Sequence, residues 1–131
     1  MLAVMLNKRK LMATTTDEGP DISRKITNLN SSVFTPYDLD GPVQKDMHLL
    51  NISYDPISTT GWYVIRMDPG AVTIPHQHKK LEEFLILEGE LIENDGTVLT
   101  AGDFVSYPPG TSHNSKTTTG CLLIALDRTP E

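Results

Sequence analysis

The sequence predicts an all-β protein whose sheet closes into a sandwich or barrel, and three observations carry that reading. Short apolar, β-branched runs recur at regular spacing, each ended by turn chemistry such as Asp55-Pro56, Asp68-Pro69-Gly70 or Pro108-Pro109-Gly110. No segment holds a helical period, because Pro or Gly interrupts nearly every window of helix length. Strands this apolar would leave adhesive edges in an open sheet, so the sheet has to close or double over.

The elements follow in order. Residues 1–20 read as an N-terminal tail, a short apolar-basic piece followed by Thr14-Thr15-Thr16-Asp17-Glu18-Gly19-Pro20, that is mobile or serves as an arm for a partner subunit. Met5 and Met12 offer alternative starts. Residues 21–131 form the one domain, long enough for a real core and too short for two. Within it the expected strands are Ser32–Tyr37, Met47–Tyr54, Trp62–Met67, Ala71–His76, Glu82–Leu87, Leu91–Asn94, Thr97–Thr100, Phe104–Tyr107 and Cys121–Leu126. Asp95-Gly96 between two of these is the strongest hairpin signal in the chain.

Composition removes several function classes. A formal net charge of −6 disfavours nucleic acid and anionic membranes as partners, and Lys8-Arg9-Lys10 is too short a basic patch to reverse that. The opening MLAVML run is too short for a signal-peptide core or a membrane span. The single cysteine, Cys121, permits no intrachain disulfide and reads as a small buried hydrophobe, which fits a reducing cytoplasm.

The chemistry concentrates in Gly70–Gly89, GAVTIPHQHKKLEEFLILEG. His76 and His78 are separated by one residue, so on a strand both imidazoles project from one face, shared with Val72 and Ile74. Glu82 heads an apolar run and shares its face with Phe84 and Ile86; a carboxylate there is costly without a cation or donors. His76, His78, Glu82 and, further along, His113 are therefore the expected ligands of one divalent ion. The neighbouring Glu83 is set aside, since alternation points it to the other face. His48 reads as an ordinary strand histidine, Lys79-Lys80 as a solvated turn, and Tyr54, Trp62, Arg66 and Tyr107 as core or surface rather than pocket residues.

Two spaced motifs give this pattern a family. Gly70, His76, His78, Glu82 and Gly89 fit a glycine, five residues, His-x-His, three residues, Glu, six residues and a glycine. Gly102, Pro108, Gly110 and His113 fit a glycine, five residues, Pro-x-Gly, two residues and a histidine. On these motifs the chain resembles the cupins, small jelly-roll β-barrels with one central metal, although Thr117 stands where many carry asparagine. The Tyr107-Pro-Pro-Gly-Thr-Ser-His113 segment and Gly120-Cys121 look most like the metal-binding domain of zinc-dependent anti-sigma factors and their stand-alone relatives, some of which resemble small dioxygenases. The resemblance implies His113 as fourth ligand, delivered from the opposite side of the barrel.

A divalent ion (Fe, Zn, Mn or Ni) held by three imidazoles and one carboxylate keeps one or two positions open. A redox metal would bind a small oxygenated substrate with O₂ and cleave a C–C bond, which is the leading expectation. A non-catalytic metal- or ligand-sensing module and a non-redox isomerase or lyase are the rivals; fold alone does not choose among them. Glu82 could also leave the metal and act as a base. Leu85 and Leu87, opposite the metal face, present an apolar outer surface, so a homodimer is expected.

Overall fold

The computed structural model describes residues 22–131, so the expectations for the tail at 1–20 lie outside the described residues. Ten strands follow one another with no helix among the described residues: β1 Thr35–Tyr37, β2 Gln44–Asn51, β3 Gly61–Met67, β4 His76–Gln77, β5 Leu81–Glu93, β6 Val98–Thr100, β7 Phe104–Tyr107, β8 Ser112–His113, β9 Ser115–Lys116 and β10 Cys121–Arg128. All pairings are antiparallel, in the order β1-β2-β3-β10-β5-β6, with β7 and β9 also on β5 and a separate β4-β8 ribbon.

The long β5 curls the sheet. Its first half pairs with β10 on one side and β7 on the other; its second half pairs with β6 and β9. This corrects the sequence expectation of two strands, Glu82–Leu87 and Leu91–Asn94. Gly89 did not end the run because it fits inside it, at φ +79° and with its Cα against the Gly120 carbonyl, where a Cβ would come within 2.0 Å. The register slips between Leu122 and Leu123, which pair with Glu88 and Ile86, so Leu87 is an extra residue and β5 carries a bulge. Asp95-Gly96 does form the β5–β6 turn, with Gly96 at φ +88°.

The other boundaries shift modestly. The expected strand at Met47–Tyr54 begins and ends three residues earlier. The expected strand at Ala71–His76 is mostly irregular: Val72 makes one isolated bridge to Lys116, and pairing resumes only at His76. Pro75 has no N–H to donate, and the alternation is lost with the ladder. Val72 therefore faces outward at 50% exposure, while Ala71 is buried and Thr73 turns toward the interior.

One face of the curled sheet encloses the main core, including Met47, Ile65, Met67, Phe84, Ile86 and Leu123. The outer face carries a smaller cluster of Leu50, Val64 and Leu122, against which Leu29, Phe34, Leu87 and Ile124 pack. Leu85 and Leu87 point outward as alternation predicts, and residues before β1 already cover part of that face. No helix among the described residues is long and apolar enough to cross a membrane.

Candidate metal centre

His76 and His113 are direct cross-strand partners in the β4-β8 ribbon. His78 follows β4 and is pinned by two backbone bonds, its N–H to the Thr111 carbonyl and its carbonyl from the Gly110 N–H, both 2.8 Å. Glu82 is the second residue of β5, flanked across the sheet by Tyr107 and Asp127. The three histidines and Glu82 each offer a ligand atom, and these atoms all lie within 4.8 Å of one another. The four sequence-predicted ligands are thus brought to one point, and Glu83 instead turns away to pair with Arg128 at 2.8 Å.

The imidazole tautomers follow from the outer contacts. His76 Nδ1 lies 2.9 Å from the Ile74 carbonyl, which can only accept. His78 Nδ1 lies 2.9 Å from the Thr111 hydroxyl, whose own proton goes to the Pro108 carbonyl at 2.7 Å. His113 Nδ1 lies 2.6 Å from a Glu93 carboxylate oxygen. Each Nδ1 therefore donates outward, and each Nε2 turns a lone pair inward.

That inward arrangement fits a cation. His78 Nε2 is buried with no hydrogen-bond partner, while the Nε2 atoms of His113 and His76 stand 3.1 Å apart. Glu82 oxygens lie 3.3 Å from His78 Nε2, 3.6 Å from His113 Nε2 and 3.9 Å from His76 Nε2. Lone pairs and a carboxylate converging in a buried place repel one another unless a positive charge sits among them. Without a metal, a proton must serve. Burial works against a charged imidazole at His113, but its bonds to Glu82 and Glu93 prevail and raise it to about 9. Burial likewise pushes Glu82 up, and the His113 and His78 hydrogen bonds outweigh it, leaving the carboxyl at about 2.

Glu93 is the residue sequence reasoning missed. It is buried at the end of β5 and accepts from His113, from the Tyr107 hydroxyl at 2.6 Å and from the Ser115 hydroxyl at 2.5 Å. Burial raises its carboxyl, but those three bonds bring it below the usual range. Tyr107, expected in the core or on the surface, also stacks on His78 at 5.1 Å between ring centres and 28° between planes. Arg66 lies over the Phe34 ring, Trp62 is 44% exposed, and His48 bonds Asp68 at 3.0 Å, all away from the centre. Tyr54 borders the space in front of His76, His78 and Glu82 and stands edge-on to Tyr63. Cys121 is buried, and burial pushes its thiol up to about 11.

Two spaces adjoin the four residues. An inner cavity of about 40 Å³ has walls that include Met47, Ile65, Met67, Phe84 and Leu123, and meets His76, Glu82 and His113. An outer cleft of about 180 Å³ exposes His76, His78 and Glu82 between Asp40, Lys79, Lys80 and Asp127.

A small, strongly curled β-domain with a three-histidine, one-glutamate cluster at one point of its interior is the design of a single-centre cupin. The chain belongs to the ChrR cupin-like domain family, whose profile matches residues 40–128. Among solved structures it is similar to an RmlC-like cupin from Shewanella frigidimarina NCIMB 400, with 24% identity and a TM-score of 0.61 over 83% of this chain and 95% of that one. It is also similar to an acetylacetone dioxygenase from Acinetobacter johnsonii, at 10% identity and TM-score 0.65 over 84% and 77% of the two chains. KdgF from Halomonas sp. aligns at 17% identity and TM-score 0.60 over 81% and 96%. At these identities the likeness establishes the cupin fold. No curated protein sequence matches the chain.

Proposed function

We propose that the chain is a metal-dependent cupin enzyme of the oxygenase type, which cleaves a C–C bond in a small oxygenated substrate. The observation that carries the reading is the placing of the four donors between two unlike spaces. The inner cavity is small and apolar, suited to a diatomic such as O₂; the outer cleft is polar and larger, suited to an organic substrate. His76, His78, Glu82 and His113 would hold one divalent ion, and the bound ion would supply Lewis acidity and, if redox-active, activation of O₂. The protein's part is to keep three Nε2 lone pairs aimed inward and water out of the apolar side. One of the structural neighbours is an acetylacetone dioxygenase, which agrees with this reading. Glu82 serves first as a ligand; as a base it would have to leave the metal, and its carboxyl at about 2 makes it a weak one while the histidines hold it.

The test is metal analysis of protein purified without added metal, followed by O₂ uptake with 1,3-dicarbonyl and catechol-like compounds. Bound iron or another redox metal with substrate-dependent uptake is expected. Zinc alone and no uptake would favour the second reading, a metal- or ligand-sensing module, which the ChrR family match supports. Turnover without O₂ would favour an isomerase or lyase.

We place the protein in the cytoplasm, in keeping with its one buried, unpaired thiol. We also propose that two copies pair through the outer sheet face. There, beside the part already covered by Leu29 and Phe34, the register strings Ile124, Leu85 and Phe104 across three strands, and Phe104 at its end is 63% exposed. Sedimentation should give a dimer, and Leu85→Lys should shift it toward monomer while leaving metal content unchanged. A wild-type monomer would remove the pairing.

A further inference from the structure

Two carboxylates that the metal reading does not use stand at the mouth of the cleft. Asp40, between β1 and β2, and Asp127, in β10, line it together with His76, His78 and Glu82. Asp40 Oδ2 is 3.7 Å from His76 Nδ1, and Asp127 is the cross-strand neighbour of Glu82.

Neither is left to swing. The Tyr37 hydroxyl donates to Asp40 Oδ2 at 2.5 Å, and the Tyr63 hydroxyl donates to Asp127 Oδ1 at 2.9 Å. Both tyrosines are buried, and both line the inner cavity, so each carboxylate is gripped from inside the barrel. Among the described residues no other hydrogen bond to a side-chain oxygen of Asp40 or Asp127 is found, which leaves one oxygen of each available. A carboxylate held half out of water with an unused acceptor is worth most to a ligand that brings a donor. Lys79 and Lys80 line the same cleft, but among the described residues no carboxylate fixes either ammonium group. Fixed groups discriminate between ligands more sharply than mobile ones, because no ordering cost offsets their contact.

We propose that Asp40 and Asp127 are specificity-determining residues of the cleft: two tyrosine-anchored acceptors that select a small ligand bearing O–H or N–H donors and disfavour a dianion of similar size. The proposal rests on the metal reading, since the ligand would lie between the ion and the two carboxylates.

The experiment uses the full chain loaded with Co(II), whose absorption reports ligation, titrated with acetohydroxamic acid or oxalate at about pH 8.5, where Asp127 is ionised. Acetohydroxamic acid keeps an N–H donor when it chelates; oxalate has none and carries two charges. The wild type should prefer acetohydroxamic acid relative to Asp40→Asn/Asp127→Asn. In the double variant the hydroxamate should weaken about tenfold and oxalate should tighten, with Co(II) content unchanged. Full Co(II) loading with wild-type selectivity in the double variant would overturn this inference and leave the metal reading standing. A wild type that takes up no Co(II) would overturn both. Should the double variant not fold, Asp40→Asn and Tyr63→Phe, which keeps the carboxylate but frees it, must each move the selectivity in the same direction. No movement in either overturns the proposal.

Discussion

Glu82 and Asp127 are neighbours across the β5–β10 ladder, and their environments set them apart. Burial raises both carboxyls. At Glu82 the His113 and His78 hydrogen bonds overcome it and hold the group at about 2. At Asp127 burial is joined by the negative charge of Glu82, the Tyr63 hydroxyl only partly offsets the two, and the group rises to about 7. Depth alone does not decide which carboxylate keeps its charge; the bonded partner does. At one position of the ladder the carboxylate is held by two imidazoles, and at the position beside it by a tyrosine hydroxyl.

The widest separation between the two should appear in metal affinity. Glu82→Gln replaces the one anionic ligand with a neutral amide and should weaken divalent-metal binding by at least about 100-fold in chelator competition. Asp127→Asn should leave it within about threefold. If the two substitutions cost the same, the division between ligand and rim is wrong. Glu93→Gln comes next. It keeps the shape but removes the charge that orients and polarises His113, so a loss of about 10- to 100-fold is expected, with the fold intact by circular dichroism. An unchanged affinity would mean that a neutral side chain at position 93, fixed by the Tyr107 and Ser115 hydroxyls, orients His113 as well as the charged one.

The reach of the sequence differed between these residues for a physical reason. His76, His78, Glu82 and His113 were legible because two motifs fix their spacing within short ribbons whose ends are anchored by turns. Alternation also put Glu82, Phe84 and Ile86 on one face, as the structure has them. Glu93 was hidden because the extra residue at the β5 bulge changes the parity. Before it the even-numbered positions face inward, and after it Leu91 and Glu93 do. The same kind of failure misplaced Val72, where a broken ladder near Pro75 ended the alternation. Asp40 and Asp127 carried no local signal at all. Their tyrosine partners are 3 and 64 residues away, and only the first pair is within reach of a local reading.

The smallest expected effect is the most direct test of the contrast, because it reads the two carboxyls through stability. A folded value near 7 against an ordinary 3.8 means that the fold favours protonated Asp127; that contribution is complete below about pH 4 and is lost as pH rises through 7. His113 has the same sign, complete below 6.5 and lost as pH rises through 9. Glu82 runs the other way, complete above 4.5 and lost as pH falls through about 2. Metal-free protein should therefore be most stable at about pH 4 to 5 and weaken from there up to about pH 9, first as Asp127 and then as His113 loses its proton. Asp127→Asn carries a neutral group at every pH, so at pH 8 it should stabilise the metal-free chain by about 1 kcal/mol after allowance for water at the cleft, and at pH 4 it should do nothing. Urea midpoints at the two pH values measure the difference. Metal loading draws the Glu82 charge toward the ion, so the gain at pH 8 should shrink in the loaded protein. A gain that ignores the metal would mean that burial alone, and not the carboxylate next door, raises Asp127.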